Sequence, residues 1–197
     1  PATAPDKDEQ GDALLDARAS IQAEFGFKLF NRLGANLQDR LVHAERFFLS
    51  CHDGDDALAY VRDLYAAVQA SFERALAGRL PPNTSDEQIK SLAESKAVEA
   101  GLSKGLPESL RTVKTSALRK TLQGGSQTLG ACVLAWLVVT DADDLAAIQG
   151  SQPSLMGDMA NLITRRGHGN EPLPLPKSDI AQLRKAAFTT IRTLMES

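Results

Sequence analysis

Apolar side chains recur every three to four residues along most of this chain, the spacing that lines them up on one face of an α-helix. From Ala13 the run Leu14, Ala17, Ile21, Phe25 and Leu29 predicts a helix over roughly residues 12–33, ended near Gly34. Leu37, Leu41, Ala44 and Phe48 carry a second helix, which stops at CHDGDD; Gly54 breaks it there, and Asp55 or Asp56 can cap the next one. Leu58, Val61, Leu64, Tyr65, Val68, Phe72 and Ala75 form one broad stripe, predicting a helix from Ala57 to Leu76 with Gly78 past its end. Beyond the Pro81-Pro82 connector, Thr84 and Glu87 stand three apart as in a capping box and open a helix over roughly 86–100, stopped by Gly101. Pro107 suits the first position of a helix reaching Leu122, and Glu108 suits the positive end of its dipole. Gly124-Gly125-Ser126 then reads as a hinge.

The pattern changes at Leu129–Val139, LGACVLAWLVV, which is apolar on every side. It is well short of the ~18–20 residues that span a bilayer. A buried helix or a buried strand fits it; helical neighbours on both sides favour the helix, and Val138-Val139 keeps the strand open. Asp141, Asp143 and Asp144 end it and can cap a short helix to Ile148. Ser154–Asn170, SLMGDMANLITRRGHGN, reads as an amphipathic helix ending in two arginines, a glycine-flanked histidine and a chain reversal. After NEPLPLPK, Ser178 is placed to cap a last helix with Ile180, Leu183, Ala187, Ile191 and Leu194 inward. The helix end before the reversal is expected to dock this last helix onto Leu129–Val139.

The fold class that follows is all-α: a single helical bundle of about eight helices with a buried central apolar helix. Residues 1–12, PATAPDKDEQGD, read as a polar linker or tail and 13–197 as the helical domain, with 79–84 or 124–126 as possible points of subdivision. Composition supports this: aromatics are only 5% and Ala and Leu recur, which favours helices over sheets. A net charge of −3 supplies no global field for nucleic acid, so any RNA contact has to be local. Cys51 and Cys132 form no close-spaced metal or redox motif, and with no signal peptide or membrane span the expected location is cytoplasmic. The chain starts at Pro1 and its first methionine is Met156, so it is expected to be a domain of a longer parent protein.

Candidate chemistry concentrates near residue 165. A continuing helix places Asn161, Arg165 and His168 on one face, and Gly167 and Gly169 let the backbone turn around the histidine, just before Asn170. Such a histidine can move a proton while Arg165 or Arg166 steadies developing negative charge on a phosphoryl group. The plainer reading is that last-turn arginines and a C-cap histidine complement the helix dipole. Lys114, Arg119 and Lys120 can contact phosphates as a binding set, or form a solvated helix face. Cys51, His52 and Asp53 lack a partner pair for a metal, and Asp141, Asp143 and Asp144 lack the glycine and distal glutamate of a calcium loop, so no metal and no cofactor are expected. No Walker loop, dinucleotide fingerprint or GxSxG motif occurs.

The apolar helix ending in RRGHGN, the Pro-rich loop and the amphipathic last helix resemble the HEPN superfamily over residues 154–195, and within it the C-terminal domains of abortive-infection proteins. The resemblance implies a helical, often dimeric domain, and for many members a metal-independent ribonuclease of bacterial conflict systems. Asn161, Leu162 and Ile163 stand where family members place an arginine, which is compatible with a non-catalytic member. LQDRLVHAERF, Leu37–Phe47, matches the same pattern in part through Arg40 and His43, with Gln38 where the arginine belongs; read from the residues alone, it is a polar edge beside the core. Two functions are therefore expected. One is a protein-interaction or dimerisation module of a larger defence-type protein, partnered by another protein, the rest of its parent chain or a second copy. The other is a ribonuclease acting on RNA with His168 and Arg165 or Arg166. A third reading makes Lys114, Arg119 and Lys120 a nucleotide or nucleic-acid sensor.

Overall fold

The computed structural model describes residues 7–79, 83, 85–99, 106–125, 128–165 and 171–196, with the side chains of all of these except residues 7–10, 86, 162 and 165. Eleven helices run through the described residues, and no strand does; a lone antiparallel bridge joins Asp56 to Pro174. They are α1 (Lys7–Phe25), α2 (Phe27–Arg32), α3 (Ala35–Ser50), α4 (Leu58–Leu76), α5 (Asp86–Glu99), α6 (Glu108–Arg111), α7 (Thr115–Leu122), α8 (Leu129–Val139), α9 (Ala142–Ser151), α10 (Leu155–Arg165) and α11 (Lys177–Glu196).

The all-α class holds, and the described helices outnumber the eight or so expected: nine helical runs are legible in the sequence, and two of them are broken. The first breaks at Gly26, whose φ of 75° is a conformation an L side chain rarely adopts. Its N–H still bonds Gln22 O, so α1 closes normally and α2 restarts at Phe27. The 107–122 run divides at Thr112–Lys114 into α6 and α7. α1 also begins at Lys7, earlier than the expected start near residue 12. Pro81-Pro82, Thr84 and Gly101 lie outside the described residues, but the capping box exists one position along: Ser85 N–H donates to Gln88 Oε1 (3.2 Å) and Gln88 N–H to Ser85 Oγ (3.4 Å).

α4 is the spine. It packs on α3, α8, α10 and α11, and Tyr60, Val61, Leu64, Tyr65, Ala67, Val68, Ser71 and Phe72 are all buried along it. Its Tyr60 hydroxyl donates to Ile180 O of α11 (3.1 Å), and its Phe72 ring meets Trp136 of α8 edge-on at 5.8 Å. Here the expected docking changes: α11 rests on α4 and α10, and α8 on α4, α5 and α7, so α4 stands between the last helix and the apolar run.

α8 is a helix, buried from Leu129 to Val138. A helix with no polar side chains needs its end groups satisfied from elsewhere. Leu129 N–H donates to the Tyr65 hydroxyl oxygen (3.0 Å) and Ala131 N–H to Thr128 Oγ1 (3.4 Å). At the other end the Lys96 ammonium donates to Thr140 O (3.0 Å) and the Arg79 guanidinium to Val139 O (3.4 Å). The same device recurs: Arg192 bonds Glu24 O at the end of α1, Arg74 bonds Arg32 O at α2, Lys177 bonds Cys51 O at α3 and Lys90 bonds Arg111 O at α6. Six of the chain's 22 lysines and arginines thus bond helix carboxyl ends. No helix of the described residues is long and apolar enough to cross a membrane.

Candidate functional site

α10 has the amphipathic form its sequence predicts, with Leu155, Met156, Met159 and Ala160 buried and Gly157, Asn161 and Thr164 outward. It packs on α11, α4, α6 and α8, and its described residues run to Arg165. Arg166, His168 and Asn170 lie outside the described residues, as do Gly167 and Gly169, and the Arg165 side chain is likewise not described. Of the set predicted around the histidine, the structure places Asn161, exposed on the outer face of α10.

The connector after residue 170 is held by the acidic turn that follows α3. Gly54 N–H donates to Leu175 O (3.1 Å), Ala57 N–H to Leu173 O (2.9 Å) and Leu173 N–H to Asp56 Oδ1 (2.8 Å). Lys177 N–H donates to Asp53 Oδ1 (2.7 Å), so the first turn of α11 is satisfied by a residue from a remote loop. Cys51, His52 and Asp53 therefore belong to a structural clasp, and no group of three or more metal-ligating side chains occurs among the described residues. Neither Asp55 nor Asp56 takes the N-cap position of α4, which falls to Ala57; Asp56, one residue earlier, accepts from Leu58 N–H (3.0 Å).

The amides of Leu173 and then Leu58 hold the Asp56 carboxyl below its ordinary value of 3.8. A carboxyl lowered by folding adds stability that is fully present above the ordinary carboxylate range and lost as pH falls through the lowered value. Carboxyl-carbon NMR titration is expected to show Asp56 with a midpoint below 3.8, with the Leu173 and Leu58 amide shifts following it. In Asp56→Asn the acid-side loss of stability should shrink; a midpoint at or above the ordinary value contradicts the clasp.

Lys114, Arg119 and Lys120 do not form one phosphate-binding face. Arg119 and Lys120 are neighbours on α7, so they point about 100° apart; Lys114 precedes the helix. Arg119 is half-buried, and the Lys120 stem lies against Gly125, where a Cβ would come within 2.9 Å of Lys120 Cγ. α7 packs on α8 and α5 rather than on α10, so these cations belong to a different side of the bundle from Asn161.

A set of which the sequence singled out only Arg40 and His43 comes together on α3 and α4. Asn36, Asp39, Arg40 and His43 follow the i, i+3, i+4, i+7 spacing of one helix face, and Asp63 of α4 completes a shallow cleft of about 440 Å³. Arg40 Nε donates to Asn36 Oδ1 (3.0 Å), and its guanidinium lies 3.7 Å from Asp63. Burial pushes the Asp63 carboxyl up, against the pull of His43 and Arg40. The cleft holds two carboxylates for its one guanidinium, which does not favour a phosphate. Arg40 and His43 are exposed, the polar edge predicted for them. The helical spacing was legible; the approach of Asp63 was not.

No protein-family model matches the chain, and no curated protein or solved structure does.

Proposed function

We propose that this chain is a helical interaction module that pairs with a second copy of itself through the outer face of α1 and the start of α2. The observation that carries the reading is a row of exposed apolar residues at i+4 spacing. Gly11, Leu15, Ala19 and Ala23 run along α1 on the side away from its buried residues, and Phe27 follows at the start of α2. Leu15 is 66% and Phe27 69% exposed, the two most exposed large apolar side chains among the described residues. Single exposed apolar residues need no explanation; an aligned row does. The i±4 ridge is the one that helices interdigitate most often, and the two alanines between Leu15 and Phe27 allow close approach.

A second copy suits this face by charge. Asp12 and Asp16 flank the row at its amino-terminal half, and Lys28 and Arg32 at its far end; all four are exposed. A two-fold antiparallel pairing sets the acidic half of one copy against the basic end of the other, the self-complementarity an isologous interface requires. The setting within a larger defence-type protein rests on the HEPN resemblance alone. The ribonuclease alternative likewise rests on the RRGHGN sequence, and nothing in the described geometry favours it.

Sedimentation equilibrium over a concentration series tests the pairing. The unsubstituted protein is expected to dimerise, and Leu15→Asp or Phe27→Asp to weaken the dimer by roughly 30-fold or more, as for a lost apolar anchor. Val98→Asp, at an exposed apolar position on α5, should leave it unchanged. An unsubstituted protein that stays monomeric throughout overturns the reading.

A further inference from the structure

From Glu171 to Pro176 the sequence reads EPLPLP, so each residue either is proline or precedes one. A proline ring fixes its own φ near about −65° and bars the helical region to the residue before it, which leaves this segment little freedom except to run extended. The fold keeps the alternation. Leu175 is buried and Leu173 half-buried, while Pro172, Pro174 and Pro176 are all exposed. The leucines face the core and the proline rings form a ridge outside, successive rings about 6.5 Å apart at the rise of an extended chain.

The two edges of this ribbon differ. Leu173 O accepts from Ala57 N–H (2.9 Å) and Leu175 O from Gly54 N–H (3.1 Å), while the leucine amides donate to Asp56 Oδ1 (2.8 Å) and Asp55 O (3.4 Å). Both leucines thus spend their backbone groups on the acidic turn, and Pro174 stands opposite Asp56 between these bonds. Successive carbonyls of an extended chain point to opposite edges, so those of Pro172 and Pro174 point away from the turn. Neither accepts a hydrogen bond among the described residues, and proline has no N–H to set beside them. The outer edge therefore carries acceptors only. A second strand, which offers acceptors and donors in alternation, does not fit it; side-chain donors do.

We propose that this ridge docks a protein partner that presents two aromatic side chains with donors, tryptophan or tyrosine, seated on Pro172 and Pro174 with their N–H or O–H groups on the two carbonyls. Proline rings pack against aromatic faces, and an acceptor-only edge selects aromatics that donate over phenylalanine. The ridge needs no ordering on binding, because its prolines have already removed that freedom and Lys177 N–H is pinned to Asp53 just beyond it. The chain's own aromatic donors, Trp136, Tyr60 and Tyr65, are all buried, so the partner is a different protein and not a second copy. This surface is separate from the row of Leu15 and Phe27 and does not rest on pairing through α1.

Amide chemical-shift titration with the capped tripeptide Trp-Ala-Trp tests the chemistry directly, since rings at i and i+2 of an extended peptide lie on one side at the spacing of the prolines. The peptide is expected to bind with a dissociation constant of about 1 mM or lower, with shifts centred on Leu173, Leu175 and Lys177. Capped Phe-Ala-Phe, which has rings but no donors on them, should bind roughly fivefold more weakly, and capped Leu-Ala-Leu should not bind. Pro174→Ala removes one ring and adds an outward N–H, and should weaken the tryptophan peptide roughly fivefold while the Gly54 and Ala57 amide shifts stay in place. Should those two amides move, Pro172→Ala, which lies outside the bonds of the clasp, reads the same loss. Equal binding of the tryptophan and phenylalanine peptides overturns the proposal. So do shifts centred on Leu15 and Phe27, binding unchanged in the proline variants, or no binding of the tryptophan peptide.

Discussion

Replacing Glu45 with alanine is expected to destabilise the protein by roughly 3–5 kcal/mol, the cost of stranding one partner of a buried ion pair. Glu45 is 1% exposed on α3. Its carboxylate takes two parallel bonds from Arg184 of α11, Nε at 2.7 Å and Nη2 at 2.8 Å, and a third from the Ser20 hydroxyl of α1 at 2.6 Å. The guanidinium is stacked over the Phe188 ring at 4.4 Å and the Phe48 ring at 4.9 Å, and Glu24 lies 3.6 Å away. Burial pulls the Arg184 pKa down, but the hydrogen bond and charge of Glu45 outweigh that and hold it above its ordinary value. Arg184 is therefore charged at any pH the fold survives, and Glu45→Ala leaves it without its main counter-ion. The double replacement Glu45→Met with Arg184→Met should recover most of the loss, because apolar residues of similar size need no partner. Urea denaturation followed by far-UV circular dichroism reads both outcomes. Additive losses in the double variant would show that the pair is not coupled.

Trp136→Ala is expected to cost about 3–5 kcal/mol, while Trp136→Phe should cost well under half of that. Trp136 is the only tryptophan and is 1% exposed, packed edge-on against Phe72 between α8 and α4. Truncation to alanine opens a cavity at the seam between the spine and the apolar helix, where neighbours on two helices have little room to relax. Phenylalanine keeps the ring contact. It also removes the indole N–H, which is buried without a hydrogen-bond partner among the described residues, and an unmet buried donor is itself unfavourable. Chemical denaturation by circular dichroism measures the two variants; both remove the indole N–H, so equal losses would mean that the ring contact with Phe72 contributes nothing. In the unsubstituted protein Trp136 fluorescence reports opening of this seam directly.

What the sequence by itself determined is local: which segments are helical, which face of each is apolar, and where glycine ends a run. Leu129–Val139 is apolar all round, so burial of α8 was legible, as was the inward stripe of α4. Gly34, Gly54 and Gly78 take positive φ where chain ends were expected, because only glycine adopts that conformation freely. Gly26 does the same inside a continuous stripe, and there the stripe hid the break. Tertiary structure alone decided the partners. An apolar face must be covered, but its period does not say by which helix, and so α11 settled on α4 and α10 rather than on α8. Charged side chains carry even less local information. Asp53 reads as a loop residue or half of a metal motif until the chain returns and lays the Lys177 amide against it. Arg79, Arg184 and Lys96 meet carbonyls and carboxylates that arrive from other helices, and nothing in the residues beside them announces those partners. Sites built from such meetings, the cleft at Asp63 among them, depend on contacts between residues far apart in the chain, and short-range spacing does not encode those.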